Sequence, residues 1–574
     1  MNPELLLTHF DRISDTSDAI PRLRRFVLDL AVRGKLVEQD PNDEPASALL
    51  KRVQQKKAEI AKEAGARKER PLPHLAENEL LFCIPTSWRW SQLAEIGFIS
   101  PRNIAGDGIQ SSFVPMPLIS PEYGVPNTHE VRPWCEIKSG FTHFAEGDVA
   151  LAKITPCFEN GKSTIFRGLT GGIGAGTTEL HVVRPVIVSA DYVLIFLKCP
   201  HFIESGISRM TGTAGQKRVP TEYFAYSPFP LPPLAEQNRI VAKVEELMAL
   251  FDRLEAARGE RDRCRDRLSA ASHYHVNNGE NAEAAREHAS FYVNHLPTIT
   301  TRSEQIPALR EAILNLTVRG RIILQDENDE PVSTLLKRIH AEQLRLINDG
   351  VIPKPKPPHS DTRAELAFDL PKSWETVTFG RLCNIVTSGS RGWAEYYSES
   401  GPKFIRAQNI RFGRLRLDDL ACVNPPKRSE GTRTQVSKGD LLVVITGAGV
   451  TNPALMDEDL GEAYVSQHVA LIKPTDTNLS PWLLLCLMAP MGGRAELVMR
   501  AYGAGKPGLN LDNIRSLPIP LPPLAEQRRI VARVVELMSL CDRLEEQLSD
   551  ARNDSRRLLE AVLHHALTDG LQGA

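Results

Sequence analysis

The chain repeats itself, and this repeat limits its possible fold more than any other feature of the sequence. Residues 31–52 read AVRGKLVEQDPNDEPASALLKR, and residues 317–338 read TVRGRIILQDENDEPVSTLLKR. Residues 231–255 read LPPLAEQNRIVAKVEELMALFDRLE, and residues 521–545 read LPPLAEQRRIVARVVELMSLCDRLE. Between these pairs lie two further matching segments, IPTSW at Ile84 and LPKSW at Leu370. Self-similarity over such lengths indicates a duplication, so we expect two structurally similar halves.

Each half begins with a helical pattern, over residues 20–64 in the first half and 305–348 in the second. The sequence Asn-Asp-Glu-Pro interrupts both patterns as a turn, and we expect Ser47 and Ser333 to cap the helices that follow. Proline-rich linkers come next, because proline cannot continue a helix.

A globular region follows each linker, over residues 84–230 and 370–520, and each region is long enough for its own core. The fragments GDVALAKI and GDLLVVIT predict strands, because β-branched residues follow a Gly-Asp turn. The apolar runs at Tyr192 and Trp482 occupy matching positions and indicate a buried helix in each region. We therefore interpret both regions as mixed α/β.

Long helices are predicted after the paired prolines that end each globular region. Apolar residues step by four and three along these helices, which is the spacing of a seam that packs against a partner helix. The seam residues are Ile530, Val534, Leu537, Cys541, Leu544 and Leu548, with Ile240, Val244, Leu247, Phe251 and Leu254 in the first copy. A continuous helix over residues 525–565 would be roughly 60 Å long. Ordinary packing helices are the alternative, but the length and duplication favour a rigid spacer.

The predicted architecture follows from this order of segments. The boundaries are an N-terminal helical segment (1–70), a first globular domain (80–232), a central helical region (233–350), a second globular domain (365–522) and a C-terminal helical segment (523–574). The central region contains the long helix that ends the first half, followed by the helical segment that begins the second half. The C-terminal and N-terminal segments of the chain are the equivalent two elements, separated by the rest of the protein. If they also pair with each other, two mixed α/β (α+β) domains are inverted about a pseudo-two-fold axis and joined by long antiparallel coiled-coil helices.

Composition excludes several classes of protein. The net charge of −2 excludes a generally basic protein, so any surface for nucleic acid is local or completed by partners. The second globular region carries an excess of basic side chains, and the first is near neutral. The nine cysteines contain no CxxC pair, which predicts reduced thiols in a cytoplasm. The longest apolar run, residues 482–490, is too short to span a bilayer, and residues 1–10 do not resemble a secretion signal.

At the repeated LPPLAEQ-x-RIV motif the chain resembles the specificity subunit of type I restriction-modification enzymes, and the resemblance covers nearly the whole length. Further segments resemble parts of that family's target recognition domains; they are ITPCFENGK (154–162), TTELHVVRP (177–185), GQKRVP (215–220), GSRGWAEYY (389–397), FIRAQNI (404–410), SQHVALIKP (466–474) and GKPGLNLDNI (505–514).

The resemblance implies two target recognition domains, each of which reads one half of a bipartite, asymmetric site in double-stranded DNA. The helices between them set the spacing of the half-sites and bind two modification subunits, which bring S-adenosylmethionine and methylate adenine. Restriction subunits, which carry ATP and Mg, supply ATP-driven translocation and cleavage of DNA. No cofactor or metal is expected in this chain itself.

Catalytic motifs are incomplete in this sequence. Gly161-Lys162-Ser163 lacks the earlier glycine of a phosphate-binding loop, where Pro156 stands instead. Asn424-Pro425-Pro426 is followed by Lys427 and not by the aromatic residue that stacks on a flipped base. We therefore expect a non-catalytic subunit. A helical scaffold whose modules bind proteins is the alternative from another class, and a fused methyltransferase-specificity protein is a third reading.

Reading of DNA requires planar donors and acceptors on loops, together with donors for phosphates. Two glycine-rich loops at equivalent positions in the repeat supply them. The candidate DNA-binding residues are Gln216, Lys217, Arg218 and Lys506 on these loops, Lys153, Thr155, Asn160 and Lys162 on a polar loop of the first region, and Ser390, Arg391, Arg406, Gln408 and Asn409 in the second region.

Other residues near these loops are assigned structural or open roles. Trp393, beside Tyr396 and Tyr397, is a candidate for contact with DNA and equally for the core. We interpret His181 and His468, which we align with each other, as structural histidines. With little positive charge of its own, the isolated chain should bind DNA weakly and in a salt-sensitive way.

Overall fold

The computed structural model describes residues 18–63, 71–75, 80, 82–213, 215–278, 287–288, 290–292, 294–295, 300–354, 366–389, 391–426, 431–502 and 507–568. The chain forms two compact units. The first consists of Met1–Arg261 with Arg552–Ala574, and the second of Asp262–Ala551. Each unit therefore joins one globular region to helical segments from distant parts of the sequence.

The first unit is built on ten strands and eight helices of the described chain. The helices are α1 Ala19–Val32, α2 Ala46–Glu63, α3 Leu93–Ile96, α4 Trp134–Ile137, α5 Ala190–Lys198, α6 Pro200–Arg209, α7 Thr221–Tyr226 and α8 Leu234–Asn278, of which the end belongs to the second unit. The strands are β1 Arg89–Ser91, β2 Gly97–Ile99, β3 Gln110–Val114, β4 Glu130–Pro133, β5 Thr142–Ala145, β6 Val149–Ala152, β7 Ser163–Ile165, β8 Ile173–Gly176, β9 Leu180–Pro185 and β10 Phe229–Leu231.

The second unit has a similar order of elements, with eleven strands and seven α-helices in the described chain. Its helices are α9 Ile306–Val318, α10 Val332–Asn348, α11 Gly431–Thr434, α12 Ser480–Met488, α13 Ala495–Tyr502, α14 Leu511–Arg515 and α15 Leu524–Thr568, of which the end belongs to the first unit. Its strands are β11 Glu375–Thr378, β12 Cys383–Ser388, β13 Tyr397–Ile405, β14 Ile410–Arg411, β15 Arg414–Leu415, β16 Ala421–Val423, β17 Leu441–Val444, β18 Pro453–Leu455, β19 Ala463–Val465, β20 Val469–Pro474 and β21 Pro518–Leu521.

The two globular regions share one sheet plan, as the duplication predicts. The antiparallel order β2-β9-β6-β7 in the first unit corresponds to β12-β20-β17-β18 in the second. A second sheet, β4-β3-β8-β5, corresponds to β16-β13-β19, and each contains one parallel pair, β3 with β8 and β13 with β19. The mixed α/β interpretation is confirmed. The capping prediction is wrong, because α2 and α10 begin at Ala46 and Val332, so that Ser47 and Ser333 lie inside the helices.

The repeated Val-Arg-Gly motif forms a close contact with the IPTSW segment. Gly34 has a φ of +69°, and a Cβ atom built there would lie 2.5 Å from Cγ of Pro85. Gly320 has a φ of +66° and would place its Cβ atom 2.5 Å from Cγ of Pro371. Glycine is required at both positions, because other residues strain a left-handed backbone and no room remains for a side chain.

We expect Gly34→Ala to lower the free energy of unfolding by more than the roughly 1–2 kcal/mol of the left-handed backbone alone, because the ring of Pro85 must also move. Gly168→Ala is the matched control, since Gly168 has a φ of +67° but a Cβ atom added there would meet nothing within 4 Å. Urea unfolding measures both variants. Equal losses of stability would contradict the proposed contact.

The LPPLAEQ motif forms the joint between each globular region and its long helix. Gln237 donates from Nε2 to the Pro232 carbonyl and accepts from the Ser189 amide. Glu236, which is 1% exposed, accepts from Gln39 at 2.6 Å, and its burial raises the pKa of its carboxyl group. In the second unit Glu526 likewise accepts from Gln325, and Gln527 donates to the Pro522 carbonyl. The motif recurs because both copies need the same joint.

The Asn-Asp-Glu-Pro turns complete this joint. Arg239 forms an ion pair with Asp43 at 2.7 Å, and Arg529 forms the equivalent pair with Asp329 at 2.6 Å. The two aspartates are almost fully buried, which fixes the start of each long helix relative to the helical segment of its own unit.

Both long helices are continuous, Leu234–Asn278 and Leu524–Thr568, as predicted. Their seams pack against the first helix of the helical segment in the same unit. Arg24 of α1 pairs with Asp252 of α8 at 2.6 Å, and Arg310 of α9 pairs with Asp542 of α15 at 2.7 Å. In the first copy Met248 is buried, and Leu247 is only partly so.

The end of α15 returns to the first unit. Leu559 is fully buried and Val562 nearly so, in the cluster that contains Ile20 and Leu23 of α1. Glu560 accepts from Arg22 at 3.0 Å. The expected pairing of the first and last helical segments is therefore observed.

Within the described ranges no one helix has the length and hydropathy to cross a bilayer, although the bent pair Thr477–Met488 and Pro490–Ala501 together reach that threshold.

Candidate nucleic-acid interface

Three segments of the first globular region meet beyond the ends of β6 and β9. The Lys153 amide donates to the Glu179 carbonyl at 2.9 Å, and the Val219 amide donates to the Lys153 carbonyl at 2.8 Å. The Thr155 amide donates to the Lys217 carbonyl at 2.9 Å. We name these segments, residues 153–162, 177–179 and 211–219, the first loop edge. The candidate residues of the first region all lie on it.

Residues 211–213 and 215–218 belong to a hairpin that carries three of the candidates. Thr211 and Arg218 exchange two backbone hydrogen bonds, and the amide of Gln216 donates to the Thr213 carbonyl to close the turn. Gly212, with a φ of +122°, permits the bend. Gln216 and Lys217 are exposed, so their side chains are available to a ligand.

Arg218 is held by an acidic residue from the next segment. Its Nε and Nη2 atoms donate to the two carboxylate oxygens of Glu179, both at 2.9 Å, and Nη1 donates to the Gln216 carbonyl at 3.1 Å. These bonds lower the pKa of Glu179 and raise the pKa of Arg218, so both groups stay charged. Sequence reasoning misses this pairing, since 39 residues separate the partners.

The polar loop of the first region is partly engaged with its own chain. The Thr155 hydroxyl donates to Glu159 at 3.2 Å, and Nζ of Lys162 donates to the Met116 carbonyl at 3.3 Å. Lys153 is half-buried, and Asn160 is exposed. Asn160 is therefore the most accessible of these four candidates.

A buried lysine that the sequence did not single out supports this loop. Nζ of Lys198, at the end of α5, donates to the carbonyls of Pro121 at 2.9 Å and Gly161 at 3.1 Å. Burial lowers the pKa of Lys198 to about 7. The second unit has Met488 at this position, where its side chain packs against Gly413. The first loop edge is thus held by a polar contact that methionine at position 488 cannot make in the second unit.

The second globular region has an equivalent loop edge. The Ile445 amide donates to the His468 carbonyl at 2.9 Å, and the Leu509 amide donates to the Ile445 carbonyl at 2.9 Å. These contacts match those of Lys153, Glu179 and Val219. The second loop edge comprises residues 389, 391, 405–409, 445–446, 466–468 and 507–509. Ser390 and Lys506 lie outside the described residues, and Arg391 is exposed.

The candidates after β13 differ in their accessibility. Gln408 is exposed. Arg406 is half-buried, and its Nη2 atom donates to the Asp419 carbonyl at 3.3 Å. Asn409 is 1% exposed; it accepts from the Arg406 amide at 2.9 Å and donates to the Asp419 carbonyl at 2.8 Å. We therefore do not retain Asn409 as a reader of bases, because its amide group is buried and occupied in its own turn.

The aromatic residues and histidines are also placed. Trp393 is 5% exposed in a small cluster with Phe404 and Tyr464, so it belongs to the core. His181 is buried and hydrogen-bonded to the Val219 carbonyl at 3.0 Å, as a structural histidine should be. His468 is exposed, with Nδ1 2.6 Å from the Thr446 hydroxyl, so unlike His181 it lies outside the core.

His468 does not occupy the place of His181. Its main-chain contacts match those of Glu179, whereas the alignment by sequence placed it opposite His181. The separation of the repeats changes from 286 to 290 residues between their two conserved ends, and the position of the inserted residues is not visible in the sequence.

Comparison with known proteins gives consistent matches. Residues 371–551 match the family model described as type I restriction modification DNA specificity domain. The chain is 37% identical over 556 residues to the type I restriction enzyme EcoAI specificity subunit of Escherichia coli, which covers 96% of this chain and 94% of that protein. The EcoEI specificity subunit of Escherichia coli is 37% identical over 568 residues, with 96% and 94% covered.

Among solved structures, the chain is similar to the HsdS subunit from Thermoanaerobacter tengcongensis, with 21% identity and a TM-score of 0.46; the match covers 85% of this chain and 98% of that one.

Proposed function

The chain belongs to the family of type I restriction enzyme specificity subunits, and from this premise we propose that its first and second loop edges are the surfaces that read DNA. The chain acts as the DNA-specificity subunit of a restriction-modification complex and is not itself the catalyst. Each loop edge reads one half of a bipartite, asymmetric site.

One observation carries the assignment of the loop edges. The two units share their sheet plan, their helix joints and the backbone contacts around these loops, but the side chains on the loop edges differ. A scaffold that is constant beneath variable polar loops is what two half-sites of different sequence require. The exposed candidates that we propose as contacts are Asn160, Gln216, Lys217, Arg218, Arg391 and Gln408, with the half-buried Lys153, Thr155, Lys162 and Arg406 beside them.

The partners are double-stranded DNA, the modification subunits and the restriction subunits. The long helices α8 and α15 expose polar faces outside their seams, and we propose that these faces bind the modification subunits. Cytoplasmic localisation is also proposed, since the cysteines that the structure describes are free thiols, which suits a reducing compartment.

Methylation mapping tests the proposal. When the chain is expressed with its modification subunit, we expect methylated adenines at one split, asymmetric motif in the host DNA, and none when the chain is omitted. A double replacement of Gln216 and Lys217 by alanine should weaken methylation. A double replacement of the exposed Lys51 and Lys56 on α2 by alanine is the control and should not weaken it. Methylation that is independent of this chain would overturn the role and favour a protein-binding scaffold.

A further inference from the structure

The pair Glu179–Arg218 lies on the first loop edge at a position where the two units differ. Other ion pairs recur in both halves, such as Arg239–Asp43 with Arg529–Asp329 and Arg52–Glu44 with Arg338–Glu330. Recurrence identifies those pairs as parts of the common scaffold. By main-chain contacts, His468 and Gly508 occupy the places of Glu179 and Arg218 in the second unit. The fold therefore does not need this pair.

The backbone beneath Arg218 is fixed on both sides. Its amide and carbonyl groups bond to Thr211 at 2.8 and 3.0 Å, and its neighbours bond to Lys153 and Thr155. The side chain thus projects from an anchored point of the hairpin, with 44% of its surface exposed. Because the backbone of Arg218 is anchored, less conformational entropy is lost when its side chain binds a ligand.

The hydrogen bonds of Arg218 leave one edge of its guanidinium group open. A guanidinium group has five N–H donors in one plane. Glu179 takes one donor from Nε and one from Nη2, and the Gln216 carbonyl takes one from Nη1. The two remaining donors are one hydrogen on Nη1 and one on Nη2, and they lie side by side at the end of the group when the Gln216 carbonyl takes the Nη1 hydrogen on the Cδ side. They form a planar fork that matches two adjacent acceptors.

We propose that Arg218 reads a guanine in the half-site of the first globular region, through O6 and N7 in the major groove, and that Glu179 is its positioning residue. This inference rests on the proposed function and names the contact at that surface. Arginine donating twice to guanine is a favourable geometry for base readout, because no other base presents two acceptors there.

A backbone phosphate also offers two acceptors, but the charge of the pair favours guanine. The carboxylate of Glu179 neutralises the guanidinium charge, so the pair attracts a phosphate little and the carboxylate itself repels one. Hydrogen bonds to the uncharged edge of a base depend less on net charge than the attraction of a phosphate does. Glu179 therefore lowers the affinity of Arg218 for phosphates. Its two hydrogen bonds also fix the orientation of the guanidinium plane for contact with a base.

The test uses the full chain expressed with its modification subunits, and it compares the methylated motif of the parent with those of Arg218→Lys and Glu179→Gln. Lysine keeps the charge but cannot form the planar fork. Glutamine has only one side-chain oxygen that can accept a hydrogen bond, so the guanidinium plane of Arg218 is no longer fixed. We expect both variants to methylate sites with another base at one guanine of one half-site, with discrimination there reduced roughly 5- to 150-fold. The other half-site should be unchanged.

The matched control is the pair Arg345–Glu342 on α10, which has the same two-bond geometry through Nε and Nη2 at 2.9 and 2.7 Å. Arg345→Lys and Glu342→Gln should leave the motif unaltered. A uniform loss of methylation by Arg218→Lys with an unaltered motif would overturn the proposal and assign Arg218 to a phosphate. An unaltered motif at full efficiency would overturn it too.

If Arg218→Lys abolishes methylation altogether, competition binding of the purified complex to oligonucleotides changed at each guanine decides the matter. Loss of discrimination at one guanine supports the proposal, and equal loss at all positions overturns it. Failure of this inference is separate from failure of the proposed function, because the latter would appear already as methylation that persists without the chain.

Discussion

Leu559→Ala should destabilise the first unit by about 2–5 kcal/mol, although the residue belongs to the last helix of the chain. Leu559 is fully buried in a cluster with Ile20 and Leu23 of α1, and alanine would leave a cavity among them. Hydrogen exchange should show faster exchange of the amides in residues 19–32. Denaturant unfolding gives the loss of stability directly.

Leu268→Ala on α8 is the control, because it is the same chemical change on a long helix, at a side chain that is 54% exposed. It should alter stability little. Unchanged protection of residues 19–32 in Leu559→Ala would contradict the packing of the returning helix against α1.

Trp482→Ala should cost the second unit about 3–5 kcal/mol. Trp482 is fully buried on α12, with its ring 5.3 Å from that of Trp374, and its Nε1 atom donates to the Pro520 carbonyl at 2.9 Å. This bond ties α12 to β21, the strand that leads into the long helix. Alanine would remove the ring and leave the Pro520 carbonyl without its donor.

The first unit suggests an informative second variant, because Tyr192 occupies the equivalent place and donates its hydroxyl group to the Pro230 carbonyl at 2.8 Å. Trp482→Tyr should therefore lose less stability than Trp482→Ala. The exposed Tyr397 provides the control, since Tyr397→Ala removes an aromatic ring outside the core. Circular dichroism during urea unfolding measures all three variants, and a Trp482→Ala loss no larger than that of the control would refute the anchoring role.

Much of the fold could be predicted because the sequence contains an internal repeat. Two similar segments must adopt similar structures, and the recurring LPPLAEQ, Asn-Asp-Glu-Pro and Val-Arg-Gly motifs all proved to be contacts within a unit. The helix seams followed from periodicity, since most apolar residues at the observed spacing are buried, with Leu247, Leu254 and Leu548 only partly so.

The loop edges could be predicted only in part, because sequence gives the type of a side chain and not its partner. Asn409 has the chemistry of an adenine reader, yet its amide closes its own turn. The sequence indicates Arg218 as a donor, but its orientation depends on Glu179, which the chain brings near only after folding. In the sequence, Lys198 is a polar residue at the end of an apolar helix. Nothing near it in the sequence indicates that its Nζ atom donates to the carbonyls of Pro121 and Gly161.

The return of α15 to the first unit has a consequence for the synthesis of the protein on the ribosome. Helix α1 is made first, whereas Leu559 and Val562 emerge several hundred residues later. At about 5–20 residues per second, the roughly 300 residues between Phe251 and Val562 take about 15–60 s to make. During that interval the nascent first unit exposes the apolar stripe that the returning helix later covers. Because transiently exposed apolar surface promotes aggregation, we expect the nascent first unit to be prone to aggregation for about 15–60 s.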